Sequence, residues 1–122
     1  GPAWQISKLY YSTTFHGCAR ALDAAMSRHG LDSPYRDWVS RWKDRDSEKR
    51  LTTFVPCAQW FDVRDAALLA HATQIDPDGQ WFAVPREVEQ EAWPTEDFEL
   101  VFSAVPTSVP EDDLFEGLRP GD

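Results

Sequence analysis

With 122 residues, 42% of them hydrophobic, six tryptophans and a formal net charge of -9, the chain has the size of one compact domain, 1–122, and the apolar content of a folded protein. The carboxylate excess excludes general nucleic-acid binding, which needs surplus Lys and Arg to neutralise phosphate. No apolar run reaches the roughly 18 to 20 residues of a membrane span and no basic-then-apolar signal pattern opens the chain, so it reads as soluble and cytoplasmic.

In chain order, Ile6 to Thr13 is aromatic and β-branched with an apolar centre at Leu9, Tyr10 and Tyr11, the pattern of a strand covered on both faces inside a sheet. Phe15, Cys18, Leu22, Ala25, Met26 and His29 recur at helical spacing, and Gly30 supplies a left-handed stop. A strand followed by an amphipathic helix is an α/β signature. Residues 35–42 form a second short helix with Tyr35, Trp38, Val39 and Trp42 on one side, followed by a charged loop from Lys43 to Arg50. Leu51 to Val55 is a short strand, ended by Pro56, which cannot donate to a ladder.

The strongest helix runs from Ala58 to Gln74, free of interior Gly and Pro. Asp76-Pro77-Asp78-Gly79 is a turn built from side-chain capping, a fixed φ and tolerance of positive φ. Pro85 to Trp93 is a short helix with proline at its first position. Phe98, Leu100, Phe102 and Ala104 alternate with polar or smaller residues in a half-buried strand. The tail from Pro106 is proline-rich, with one turn of helix expected at Glu111 to Leu118. The six tryptophans follow helical and strand periodicity, which favours core packing over an open stacking surface.

The motifs of common catalytic sites are missing. The three histidines stand apart, and His16 with Cys18 two positions on would point in different directions on a helix, so no metal site and no catalytic group is assigned to this chain. The Asp76 to Gly79 turn lacks the third oxygen ligand and bidentate Glu of a calcium loop. No G-x-S-x-G elbow or glycine-rich phosphate loop occurs. Cys18 and Cys57 form neither a C-x-x-C pair nor a disulfide framework and read as buried free thiols. The first fifty residues hold nine Lys and Arg against six Asp and Glu, the remainder three against fifteen. This reads as a solvated C-terminal surface rather than an acidic tail that recruits a basic partner.

One helical stripe draws interest: Val63, Ala67, Ala70, His71 and Gln74 fall on one face, and the alanines let a ligand or another backbone approach. His71 and Gln74 can each donate and accept there. On these residues alone a second account stands beside the first, in which His71 sits at the negative end of the helix dipole and Gln74 caps carbonyls.

The segments "SKLYY" at Ser7 to Tyr11, "VRDAALLAHATQIDPDG" at Val63 to Gly79, "WPTEDFEL" at Trp93 to Leu100 and "LFEGL" at Leu114 to Leu118 carry a resemblance that runs, in order, through nearly the whole chain. Together they resemble the C-terminal portion of the mycothiol S-conjugate amidases, within the LmbE-like zinc-dependent N-acetylglucosamine deacetylase superfamily. The resemblance implies the C-terminal part of a Rossmann-like α/β fold and a hydrolase that cuts the glucosamine amide of mycothiol S-conjugates in detoxification. It also implies zinc as the cofactor of the complete enzyme. The family's His-Pro-Asp-Asp and His-Pro-Asp-His segments have no counterpart here, since no histidine of this chain precedes a proline. The chain is therefore expected to bind no metal by itself and to have as partner the N-terminal zinc-binding portion of the same enzyme. In that setting His71 and Gln74, with Asp76 just beyond the helix, are expected to line the substrate cleft. The rival readings are the related mycothiol-precursor deacetylase, an antibiotic-pathway amide hydrolase of the same family, and a non-catalytic acidic binding module.

Overall fold

In the computed structural model, which describes residues 1–12, 16–43 and 47–122, helices pack beside a three-stranded sheet. The expected α/β class is what the chain adopts. Strands β1 (Lys8–Ser12), β2 (Thr53–Pro56) and β3 (Thr95–Ser103) lie in the order β1-β3-β2. The central β3 pairs antiparallel with both neighbours, Leu9 opposite Phe102 and Thr53 opposite Phe98, with a bulge between Leu9 and Tyr10.

The first helix, α1 (His16–Arg28), turns Ala19, Leu22, Ala25 and Met26 inward. Leu22, Ala25 and Met26 meet Val84 and Val88, with Cys18, Tyr35, Ala92 and Trp93 packed around them. Each large aliphatic side chain in this cluster contributes about 1.5–3 kcal/mol on burial. The helix stops as its sequence demands. Gly30 takes φ +68°, and the N–H groups of Leu31 and Gly30 donate back to the carbonyls of Met26 and Ser27 at 2.9 and 3.1 Å, a Schellman closure. Phe15 and Thr13 lie outside the described residues. The second helix, α2 (Arg36–Arg41), packs against α1, and the loop expected to follow it includes positions 44–46, also outside the described residues, before a 3-10 turn at Ser47–Arg50.

Four expectations are corrected. First, β1 is an edge strand: Lys8 and Tyr10 turn toward the C-terminal tail while Leu9 and Tyr11 remain 40% and 55% exposed, so an apolar centre did not signify burial on both faces. Second, the helix expected to reach Gln74 is α3 (Phe61–Leu69), preceded by a 3-10 turn at Ala58–Trp60. Only Phe61 of α3 is fully buried, and residues 70–74 are all exposed. With no apolar face to bury, good propensity does not extend a short helix. Third, the tail forms no helix at 111–118 but a run of turns at 114–118, because Glu111 is drawn into the sheet region: its backbone bridges Thr53, with Phe54 N–H donating to the Glu111 carbonyl at 2.9 Å. Fourth, no tryptophan is fully buried; Trp4, Trp38, Trp60 and Trp81 are exposed and Trp42 and Trp93 half-buried.

Other boundaries move little. Pro56 occupies the last rung of β2 opposite Thr95, tolerated because β2 has no strand beyond that rung. Pro85 precedes α4 (Arg86–Ala92) as its cap rather than its first residue. β3 begins three residues before Phe98, and its one fully buried side chain is Asp97. The cysteines are free and half-buried. Among the described residues no helix is long and apolar enough to cross a membrane.

Two glycines separate open from closed space. At Gly117, φ is +81° and an added Cβ would meet the Pro106 carbonyl oxygen at 2.3 Å, whereas at Gly30 nothing stands within 4 Å. Gly117→Ala should therefore lower Tm by more than about 5 °C, and Gly30→Ala, which carries only the left-handed backbone penalty of about 1 kcal/mol, by clearly less. Calorimetry of both variants checks the order.

Candidate functional site

A cleft of about 420 Å³ opens between the helices and the end of β3. Helix α1 supplies Cys18 and Leu22, α3 Arg64 and Leu68, α4 Glu89, and β3 Thr95, Glu96 and Asp97, with Tyr35, Trp38, Trp81 and Trp93 completing the wall. Arg64 organises its charge. The guanidinium grips both oxygens of Glu89 at 2.9 and 3.0 Å, reaches Asp65 at 3.4 Å and Glu96 at 3.6 Å, and stands 4.2 Å over the Phe61 ring. Arg86 joins from α4, bonding Asp65 at 2.6 Å and contacting Glu89. Bidentate Arg–carboxylate geometry fixes orientation as well as charge.

Asp97 is the buried acid of the cleft. The Trp93 indole N–H donates to it at 2.9 Å and the Thr95 hydroxyl at 2.6 Å. Burial nevertheless pushes its carboxyl above the ordinary aspartate value, the two hydrogen bonds pulling the other way. Cys18 is driven further: burial, then the charges of Asp97 and Glu96, push its thiol up to about 12. It is held as the thiol and cannot serve as a nucleophile at neutral pH.

His71, Gln74 and Asp76, expected to line the substrate cleft of the complete enzyme, lie outside the cleft around Arg64. His71, Gln74 and Asp76 are exposed and occupy successive turns after α3. The Gln74 and Ile75 N–H groups donate to the His71 carbonyl at 2.8 and 3.0 Å, and Asp76 accepts from the Asp78 N–H at 2.9 Å. The last α3 side chain to line the cleft is Leu68, and none of the three joins it. Conversely, the residues that do meet there, Arg64, Glu89, Asp97, Trp38 and Trp81, were not singled out for chemistry from the sequence. One signal pointed to them. Only Arg64, Arg86 and Arg119 carry positive charge among residues 51–122, and two of these three converge on the same carboxylates.

Zinc, which the resemblance implies for the complete enzyme, finds no fitting donor set here. Among the described residues no three His, Cys, Asp or Glu side chains come together to hold a metal ion. Glu89 and Asp97 are committed to Arg64 and Trp93, and Cys18 is protonated. The cleft of this chain can bind and orient, and among the described residues it displays no activated nucleophile.

Comparison with known proteins gives the lineage. No family model matches the chain, and no solved structure matches it. Among curated proteins, the mycothiol S-conjugate amidase of Streptomyces coelicolor is 54% identical over 121 residues, 98% of this chain and 41% of that protein. Two 1D-myo-inositol 2-acetamido-2-deoxy-alpha-D-glucopyranoside deacetylases are more distant. That of Streptomyces avermitilis is 34% identical over 98% of this chain and 41% of its own length, and that of Geodermatophilus obscurus 34% over 97% and 41%. The chain thus spans about two fifths of the length of the curated relatives it matches. Over nearly all of its own residues, this chain is similar to the mycothiol S-conjugate amidase and, more distantly, to the deacetylases.

Proposed function

We propose that the chain forms part of an amidase that hydrolyses the glucosamine amide of mycothiol S-conjugates, and that it contributes a wall of the substrate cleft. The observation that carries this reading is the 54% identity to the amidase across 98% of the chain, against 34% to the deacetylases over the same span. The same margin ranks the amidase ahead of the mycothiol-precursor deacetylase.

In this reading zinc, when bound by the complete enzyme, polarises the amide carbonyl and activates water, and its ligands come from the portion of the relatives that this chain does not match. The residues of the present chain bind and position substrate. His71, Gln74 and Asp76 are the proposed substrate contacts; their exposure, in the turns that follow Leu68, the last cleft residue of α3, leaves them open to groups supplied by that other portion. Arg64, clamped by Glu89, stiffens the wall of the cleft.

The test compares two preparations. The longest natural polypeptide carrying this segment should cleave a mycothiol S-conjugate faster than the acetylated glucosaminyl inositol. The 122-residue chain by itself should cleave neither and should retain less than one zinc per chain in equilibrium dialysis. Preference for the acetylated substrate would move the assignment to the deacetylase. Turnover by the short chain alone, with zinc supplied, would overturn the division of labour.

A further inference from the structure

We propose that the aromatic groove formed by Tyr35, Trp38 and Trp81 receives the substituent on sulfur of the conjugate, a flat or bulky apolar group; this rests on the amidase reading above. Two tryptophans on separate elements, Trp38 on α2 and Trp81 in the 3-10 turn Gln80–Phe82, line a groove of about 520 Å³ together with Tyr35. The same three rings also line the cleft that holds Arg64. They therefore stand where two spaces join, each with a volume suited to a small molecule.

The rings are placed rather than loose. Tyr35 and Trp38 lie 6.2 Å apart between centroids, Trp38 and Trp42 4.3 Å, and Trp42 stacks on His16 at 3.6 Å. Trp38 is thereby held from behind, while 38% of it, and 66% of Trp81, faces water. Large aromatic surface left wet at the mouth of a cleft gains most from an apolar guest, and ring faces accept guests of many outlines because stacking does not read hydrogen-bond patterns. Among the described residues, Asp37, Arg41, Gln80 and the Tyr35 hydroxyl supply the polar groups of the groove. A hydroxyl-rich sugar would need more convergent donors and acceptors than this. A thioether substituent, the variable part of an S-conjugate, needs only shape tolerance and apolar contact.

The experiment uses the longest natural polypeptide containing this segment and two conjugates that differ at sulfur, S-benzyl and S-methyl. Trp81→Ala and Trp38→Ala should each lower the benzyl-to-methyl ratio of kcat/KM at least tenfold, chiefly through a higher KM for the benzyl conjugate, and Trp81→Phe should restore most of the ratio. Trp4→Ala, at an 88% exposed position that lines neither space, is the control. An unchanged ratio overturns the proposal, including the case in which Trp81→Ala lowers Tm with the ratio intact, since that outcome means that other polypeptide covers the groove. If the unsubstituted protein hydrolyses neither conjugate, the amidase reading fails and the groove is judged by binding. Saturable quenching of tryptophan fluorescence by S-benzyl-N-acetylcysteine, abolished by Trp81→Ala, then sustains it as an apolar-ring site. Absence of quenching removes it.

Discussion

Glu111→Ala is expected to destabilise the fold by about 3–5 kcal/mol, because it strands a buried lysine. Glu111 is 2% exposed. Its carboxylate accepts from Tyr10 and Thr53 hydroxyls at 2.8 Å each, and from Lys8 and Thr107. The Lys8 side chain is only 3% exposed and also donates to the Glu116 carbonyl at 3.0 Å. One carboxylate thus ties β1, β2 and the tail together. Against a total stability of about 5–15 kcal/mol for an ordinary domain, its loss leaves a protein that melts tens of degrees earlier or does not fold. Replacing both partners, Lys8→Met with Glu111→Leu, should cost clearly less than Glu111→Ala alone, since no charge is then left buried. If the double variant is as unstable as the single one, shape rather than charge holds this junction.

The same site sets an acid limit. Burial would raise the Glu111 carboxyl, but the hydrogen bonds from Lys8, Thr107, Tyr10 and Thr53 outweigh it and hold the group at about 2, below its ordinary 4.5. A carboxylate with a depressed folded-state value stabilises fully above its unfolded value, and that stability, about 3 kcal/mol, drains away as pH falls from 4.5 toward 2. Asp97 works in the other direction. Its value is raised by burial, so protonation in the interval above 3.8 favours the fold. Acid unfolding should therefore begin below about pH 4.5 and flatten in Glu111→Gln, read by far-UV circular dichroism across pH 2 to 6. At the alkaline end the Lys8 ammonium is favoured: burial lowers it, but the bonds to Glu111 and Tyr10 raise it above 10.5 overall. Its contribution is complete below 10.5 and is lost only at higher pH.

How much of this was legible in the sequence follows from which forces are local. Gly30 and the 3.6-residue period of Leu22, Ala25 and Met26 announced α1 and its stop, because helix termination and a buried stripe are written within one segment. The turn at Asp76 to Gly79 was equally readable, and the hydrogen bond from the Asp78 N–H to the Asp76 side chain bears it out. The lineage was legible too, through the order of four quoted segments, and the 54% identity to the amidase agrees with it. What could not be read was tertiary. Glu111 looked like helix-forming surface because its partners Lys8 and Thr53 lie 103 and 58 residues away. The helix after Ala58 stops short of its expected end because propensity says nothing about whether Ala70 to Gln74 have a surface to bury against. The periodicity of the tryptophans points to a core, yet a chain matching two fifths of its relatives need not contain the surface that covers them. Arg64 carries no local signal because its worth lies in Glu89, which α4 brings beside it from 25 residues away.

His71→Ala, made in the longest natural polypeptide containing this segment, is expected to lower kcat/KM for a mycothiol S-conjugate about ten- to a hundredfold, the loss of one or two hydrogen bonds to substrate at roughly 1.4 kcal/mol per factor of ten. Its Tm should barely move, because position 71 is exposed and lies beyond the helix whose core contact is Phe61. Gln74→Ala should act in the same direction. Asp76→Ala is distinguishable from both: it also removes the acceptor for the Asp78 N–H, so a small drop in Tm accompanies any kinetic loss. Full activity in all three variants would assign the turn after α3 to solvent. The substrate wall of this chain would then reduce to the cleft around Arg64 and the tryptophans at its mouth, where Arg64→Ala should lower Tm and activity together because Glu89 loses its bidentate partner.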